Sequence, residues 1–157
     1  MAIKVGEKKE SLIPDINGIT KLVKDKILAT DDFKEIYKKI EENFAIDEIN
    51  TYSIEDILTH IRSLIVVAGK SKVRGLSKFE LEKLDNEICK IIHELVNKEL
   101  PEYVTPYHQI ASWIDGMQRE SPVEIFTTNY DLLMEQALEE MKVPYFDGFA
   151  GVRRPFF

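Results

Sequence analysis

The sequence predicts a helix-rich α/β fold, because it contains two kinds of hydrophobic pattern. Most of the chain repeats apolar residues every three or four positions, as amphipathic helices do. Three short segments instead favour strands: a clear one at 123–127, rich in branched and aromatic residues, and weaker ones at 2–5 and 143–146. The predicted order is a strand, many helices, a strand, a turn, a helix and a strand.

Each of four predicted helices before residue 100 combines an apolar stripe with a start signal. The signals are a proline–aspartate pair, an acidic pair that opposes the exposed amides of the first turn, and two serine capping boxes. These residues are Pro14 with Asp15, Asp31 with Asp32, Ser53 with Asp56, and Ser77 with Glu80. The basic loop at 69–78 joins the third and fourth of these helices. It is predicted to be a solvated connection, since it lacks the upstream glycine of a phosphate-binding loop.

Two further helices are predicted after Pro101. Thr105 and Pro106 supply an N-cap and a first-turn proline, and Trp113 is expected to lie in the hydrophobic core. The last helix follows a turn at 129–131. His108 opens the earlier of these two helices, so it is only a weak candidate for a pocket.

Composition limits the classes of function. The chain has 157 residues, 44% hydrophobic and 31% charged, which is ordinary for one globular domain. A net charge of −7 disfavours nucleic acid as a partner. The single cysteine, Cys89, excludes a disulfide framework and favours a cytoplasmic location. The sequence contains no run of about 18 apolar residues, so no membrane span is predicted. The aromatic end of the chain suggests a cut inside a larger domain.

The strand–turn–helix at 123–141 is the strongest candidate for chemistry. Asn129 and Asp131 lie where a strand is predicted to end and a helix to begin, which is where α/β proteins bind ligands. An amide can donate and accept hydrogen bonds, so Asn129 could hold a ribose hydroxyl or orient a water. The structural alternative makes Thr128 an N-cap, Asp131 its reciprocal partner and Asn129 a turn former.

A resemblance adds to this interpretation. The run Thr-Thr-Asn-Tyr-Asp at 127–131, with the Val-Pro step at 143–144, resembles bacterial sirtuin-like domains of the silent information regulator superfamily. Ile-Pro-Asp at 13–15 resembles the piece that follows the family's glycine-rich loop, and 52–58 resembles the start of its helical insertion. The resemblance implies a fragment of a Rossmann-like parallel sheet, incomplete at both ends. Its helical insertion would cover approximately 29–100, and its Rossmann-like parts 1–28 and 101–157.

The same resemblance implies that NAD is the ligand or substrate. Many bacterial members are NAD glycohydrolases, often tied to anti-phage defence, and other members remove acyl groups from lysine. Both reactions break the nicotinamide–ribose bond through a cation-like transition state. Asn129 matches the catalytic asparagine, which positions the water or the ribose. Asp131 matches the acidic residue near the nicotinamide pocket, and Thr128, in the same run, is also expected to bind the cofactor. Asp15 and Asn17 fall where the family's cofactor loop contacts NAD.

Two departures from the family lower the expected activity. Gly6 is followed by charged residues instead of the second glycine of the cofactor loop, and no histidine follows Asn129 in the sequence. A single cysteine cannot form the zinc module of the deacylases, so no metal is expected and a glycohydrolase is favoured. We therefore expect this chain alone to be inactive. The alternative is a non-catalytic helical interaction or regulatory module, whose partner is a second copy or a larger parent chain.

Overall fold

The computed structural model describes residues 11–148, which contain six α-helices and no β-strand. The chain divides into two compact units, whose described parts are residues 11–96, the first unit, and residues 97–148, the second unit. The helices are α1 (Ile16–Leu28), α2 (Asp31–Ile46), α3 (Ile54–Ala68), α4 (Lys78–Val96), α5 (Pro106–Gly116) and α6 (Leu133–Glu140).

The first unit is a bundle of α1 to α4 around one hydrophobic core. Every helix contributes side chains that are completely buried, and these come from the apolar stripes that predicted the helices. The completely buried side chains of the four helices are Val23, Ile27, Tyr37, Ile40, Ile57, Ile61, Leu81, Leu84 and Ile88. The predicted positions of these four helices are thus confirmed.

The start signals of the first unit are confirmed as well. Ser53 accepts a hydrogen bond from the amide of Asp56, whose carboxylate accepts one from the amide of Ser53 at 2.8 Å. The same reciprocal pair forms at Ser77 and Glu80, where the amide of Ser77 lies 2.8 Å from Oε2 of Glu80. Because these bonds satisfy amides that a helix start leaves unpaired, the capping residues define where α3 and α4 begin.

The basic loop between α3 and α4 is a tight turn attached to the bundle. Val73 and Leu76 exchange backbone hydrogen bonds of 2.9 Å, and the side chain of Leu76 is completely buried. Arg74 donates to both carboxylate oxygens of Asp47, at 2.8 and 3.0 Å. Gly75 has φ of +77°, a left-handed conformation that glycine adopts without strain. These contacts confirm an interhelical connection.

The second unit contains α5 and α6 with longer irregular segments around them. Thr105 caps α5 and Pro106 occupies its first turn, as predicted. The side chain of Gln136 in α6 forms two hydrogen bonds with the backbone before α5. Its Oε1 accepts from the amide of Leu100 at 2.9 Å, and its Nε2 donates to the carbonyl of Lys98 at 2.9 Å. Gln136 thereby holds the segment that precedes α5 against α6.

The predicted α/β class, and with it the Rossmann-like parallel sheet, is wrong for the described residues. Segments 123–127 and 143–146 are irregular, and the only β-type contact within 11–148 is the isolated pair Val73 and Leu76. Branched and aromatic residues fit a pleated surface, but a strand forms only when its backbone pairs with a neighbour. No such neighbour occurs among the described residues. The predicted strand at 2–5 lies outside them, and the division into 1–28, 29–100 and 101–157 stays a prediction.

Within residues 11–148, no helix combines the length and the apolar character that crossing a bilayer requires.

Candidate functional site

The loop at 127–131, which carries three of the predicted site residues, leads directly into α6. The amide of Asn129 donates to Oγ1 of Thr127 at 3.0 Å, and the amide of Leu133 donates to Oδ1 of Asp131 at 3.2 Å. Both are short-range bonds typical of turns formed by threonine and aspartate. Asp131 therefore stabilises the start of α6, whereas the N-cap role considered for Thr128 is wrong, since Leu132 occupies the N-cap position.

The side chains of this loop are presented to solvent. Thr128 and Asn129 are exposed, and Asp131 is half-buried. The amide group of Asn129 makes no side-chain hydrogen bond to any residue in 11–148, so both its donor and its acceptor face solvent there. The loop thus offers an amide and a carboxylate two residues apart.

Tyr107 in α5 is a member of this site that the sequence did not reveal. Burial raises the pKa of its hydroxyl above the ordinary value of 10.0, and the negative charge of Asp131 adds to the rise. Tyr107 therefore lies near enough to Asp131 for the charge of this carboxylate to act on its hydroxyl. No motif links positions 107 and 131, so only the tertiary structure could bring them together.

A groove of about 910 Å³ lies beside the loop, within the second unit. Its walls come from the end of α5, the irregular segment up to Thr127, one face of α6, and the segment 143–147. Several large apolar side chains around it are exposed: Ile125 by 46%, Phe126 by 89% and Phe146 by 74%. Thr127 belongs to both the groove and the loop, so the two features form one continuous surface.

The other two predicted site residues belong to the first unit. Oδ1 of Asp15 accepts a hydrogen bond of 2.8 Å from the amide of Gly18, which makes Asp15 the N-cap of α1. A β-carbon at Gly18 would lie 2.8 Å from that of Pro14, too close for any larger residue without a shift. Asn17 is exposed in the first turn of α1. Asp15 and Gly18 therefore have a local role at the start of α1, and the expected role of Asn17 stays a prediction.

His108 forms the most strongly connected polar cluster of the second unit. The amide of Thr105 donates to Nδ1 of His108 at 3.1 Å, and the Thr105 hydroxyl lies 2.8 Å from the same nitrogen. Because Nδ1 accepts, the proton of the neutral ring lies on Nε2, which is 2.7 Å from Oε2 of Glu140. The cluster thus runs from hydroxyl to imidazole to carboxylate.

This order of groups is also the order of a hydroxyl nucleophile, a base and an orienting acid. Thr105 cannot act as a nucleophile, because its side chain is completely buried and no substrate could reach its hydroxyl oxygen. His108 replaces the usual glutamate of a capping box and at the same time joins α5 to α6. The three-residue spacing from Thr105 to His108 was the available sequence signal for this cluster.

The other two histidines and the single cysteine belong to the first unit. Nε2 of His60 is buried and has no hydrogen-bond partner among residues 11–148, while its ring lies 4.9 Å from that of Phe44. His93 is exposed. Cys89 is half-buried and accepts a hydrogen bond of 3.3 Å from Arg62, so it is not a plain core residue.

Trp113 was expected in the core, and this prediction is wrong. Its side chain is 56% exposed, and the guanidinium of Arg119 lies 4.4 Å from the centre of its ring. The helix α5 is short and packs through Ala111 and His108, which leaves its other apolar side chains near the surface.

In the described part of the chain, no three side chains of His, Cys, Asp or Glu are arranged to hold a metal ion. The sequence matches neither a protein-family model nor a curated protein.

Proposed function

We propose that the loop at 127–131 binds the nicotinamide–ribose part of NAD, and that the chain is one part of an NAD-cleaving enzyme of the glycohydrolase type. The observation that carries the proposal is the exposed amide of Asn129, which is followed two residues later by the carboxylate of Asp131. The resemblance of the Thr-Thr-Asn-Tyr-Asp run to sirtuin-like domains supports the choice of ligand.

The chemistry of the two side chains suits this part of NAD. An amide can accept from one ribose hydroxyl and donate to another, which orients the sugar. The nicotinamide ring is cationic before cleavage, and the ribose gains positive charge as the bond breaks. A carboxylate on the ribose side stabilises the charge that develops there, which is present in the transition state and not in the ground state. Asp131 is held by its bond to the amide of Leu133, so its position is fixed.

The charge of the second unit favours the cationic end of NAD over its pyrophosphate. Residues 97–148 contain ten acidic and three basic side chains, hence a net charge of −7 with histidine neutral. Phosphates are normally held by clustered cations or by helix amides. We therefore expect weak binding by this chain, with most of the contact made by the nicotinamide riboside half.

The chain alone is expected to bind NAD without cleaving it. No histidine follows Asn129 in the sequence, and the family's general base lies in that direction. The same proposal places the protein in the cytoplasm, where its single cysteine would stay reduced. A net charge of −7 for the whole chain continues to disfavour nucleic acid as a partner.

Calorimetric titration of the purified chain with NAD tests the proposal. Asn129→Ala is expected to weaken binding by about tenfold, because it removes both ribose contacts. Asn97→Ala, which removes an exposed amide in the same unit, is the matched control and leaves the affinity unchanged. Absence of NAD binding by the unaltered chain, or equal loss in both variants, would show that the loop is not a ribose site.

Nicotinamide release, measured in the same samples, tests the expected inactivity. Rapid release that Asn129→Ala abolishes would show that the chain carries a complete active site. In that case the NAD site would be correct and the statement about inactivity wrong.

A second candidate function is a non-catalytic interaction module, and the exposed apolar side chains of the second unit favour it. Phe126, Phe146 and Trp113 are all more than half exposed, which is costly unless another surface covers them. Sedimentation and NAD titration separate the candidates. A stable oligomer that does not respond to NAD supports the module.

A further inference from the structure

We propose that the groove of the second unit binds an unfolded, extended segment of a partner protein in which apolar side chains alternate with lysine or arginine. The inference rests on the apolar surface, the volume and the charge of the groove. It does not depend on NAD binding.

The groove has the apolar surface that such a segment needs. Ile114, Val123, Met134 and Leu138 line it, and Ile125 and Phe146 remain substantially exposed at its walls. Covering apolar surface contributes about 25 cal/mol for each Å² removed from water. Single exposed apolar side chains are common on protein surfaces, but a contiguous patch of them in a groove indicates a binding surface.

The volume and the backbone of the groove suit an extended chain. Its 910 Å³ lies at the upper end of the roughly 300–1,000 Å³ that single-ligand pockets occupy, so it accommodates several consecutive side chains. No backbone–backbone hydrogen bond joins residues 120–127 or 144–147 to another described residue. Main-chain groups along these walls can therefore pair with an incoming backbone, as in strand addition.

The charge around the groove selects a cationic segment. Glu124, Glu135 and Asp147 line the groove, whereas Arg119 is the one cation among its described lining residues and lies over the ring of Trp113. Residues 97–148 have a net charge of −7. An anionic segment or a nucleic acid would be repelled by this surface, while lysine or arginine would be attracted.

Tyr145 lines the groove, and its hydroxyl contacts a carboxylate. The hydroxyl donates to Oε1 of Glu139 at 3.0 Å. Burial, this hydrogen bond and the charges of Glu139, Glu135 and Asp147 raise its pKa above the ordinary value of 10.0. The hydrogen bond to Glu139 and the groove-lining Glu135 place carboxylates near this part of the wall, which favours a cationic side chain.

Fluorescence anisotropy with labelled synthetic peptides tests the proposal on the full chain. Three short peptides of equal length are compared: alternating Lys and Leu, alternating Glu and Leu, and alternating Lys and Ser. We expect the Lys/Leu peptide to bind at least about tenfold more tightly than either of the others. Equal binding of the Lys/Ser peptide would show that the apolar groove takes no part, and equal binding of the Glu/Leu peptide would exclude charge selection.

A matched pair of variants separates the groove from the general negative charge. Glu124→Lys combined with Glu135→Lys reverses two charges that line the groove, and is expected to weaken the Lys/Leu peptide by about tenfold or more. Glu99→Lys combined with Glu102→Lys makes the same charge change at exposed residues of the unit outside the groove lining. It should weaken binding by less than about threefold. Equal effects in both variants would overturn the proposal.

Two further variants keep the result interpretable. Ile125→Ser removes an exposed apolar side chain from the groove wall without disturbing the core, and it should also weaken the Lys/Leu peptide by several-fold. If Ile125→Ser leaves the affinity for the Lys/Leu peptide unchanged, the proposed apolar contact is contradicted. This holds even if the charge-reversed variant fails to fold. Asn129→Ala is expected to leave peptide affinity unchanged, so that failure of the NAD proposal and failure of this one are distinguishable.

Discussion

Nε2 of His108, near the start of α5, lies 2.7 Å from Oε2 of Glu140, the last residue of α6. Nδ1 of the same ring accepts a hydrogen bond from the amide of Thr105. One side chain therefore caps a helix and joins it to a second helix. Since α5 and α6 are the only helices in the described part of the second unit, this contact is expected to govern its stability.

Replacing His108 by alanine should lower the free energy of unfolding of the second unit by about 2 kcal/mol, through the lost cap and the lost bond to Glu140. Gln109→Ala, an exposed change at the next position of α5, is the control and should alter the free energy by less than about 0.5 kcal/mol. Trp113 is the single tryptophan and lies in α5, so its fluorescence during urea unfolding reports this unit. Equal free energies for the two variants would contradict the role of His108.

Ser53→Ala should destabilise the first unit by about 1 kcal/mol, because the capping box at the start of α3 loses its hydroxyl acceptor. Ser63→Ala changes the same residue type within α3, where the hydroxyl donates to the carbonyl of Thr59 at 2.9 Å. That control should be nearly neutral, since alanine has a higher helix propensity and needs no such bond. Thermal unfolding followed by circular dichroism measures both, and a larger loss in the control would refute the capping argument.

His60 should make the stability of the first unit depend on pH. Burial lowers the pKa of its ring below the ordinary 6.5, and the positive charge of Arg74 lowers it further. The unfolded chain therefore binds a proton more readily than the folded chain as the pH falls through 6.5. The contribution of His60 to stability is present in full above this value and decreases below it.

The variant His60→Phe isolates this effect, because it keeps an aromatic ring beside Phe44 and removes the titrating nitrogen. Urea unfolding at about pH 7.5 and about pH 5.5 should show a smaller loss of stability on acidification in the variant than in the unaltered chain. An identical loss in both proteins would mean that His60 does not couple folding to protonation in this range.

The helices and their starts could be predicted from sequence because their determinants are local. The capping partners Ser53 and Asp56 are three residues apart, and the apolar stripe of α3 follows from helical periodicity. A helix closes its hydrogen bonds between residues four positions apart, so the relevant groups are visible in a short stretch of sequence.

The candidate site could be predicted only in part. The exposed loop at 127–131 was found from its motif, whereas the proximity of Tyr107 to Asp131 depends on how α5 is placed in the second unit. The role of Asp131 as the acceptor that starts α6 was also missed, because the competing assignment to Thr128 was equally compatible with the sequence.

By itself, the sequence determined the positions of six helices, the capping residues of α1, α3, α4 and α5, the core stripes of the first unit and the acidic character of the chain. Tertiary structure decided that 123–127 and 143–146 are irregular walls of a groove instead of strands, that His108 contacts Glu140, and that Trp113 is exposed. Strand pairing and burial depend on groups that are distant in sequence. A run of branched or aromatic residues indicates only that a segment is compatible with a strand, and its neighbours in space decide whether a strand forms.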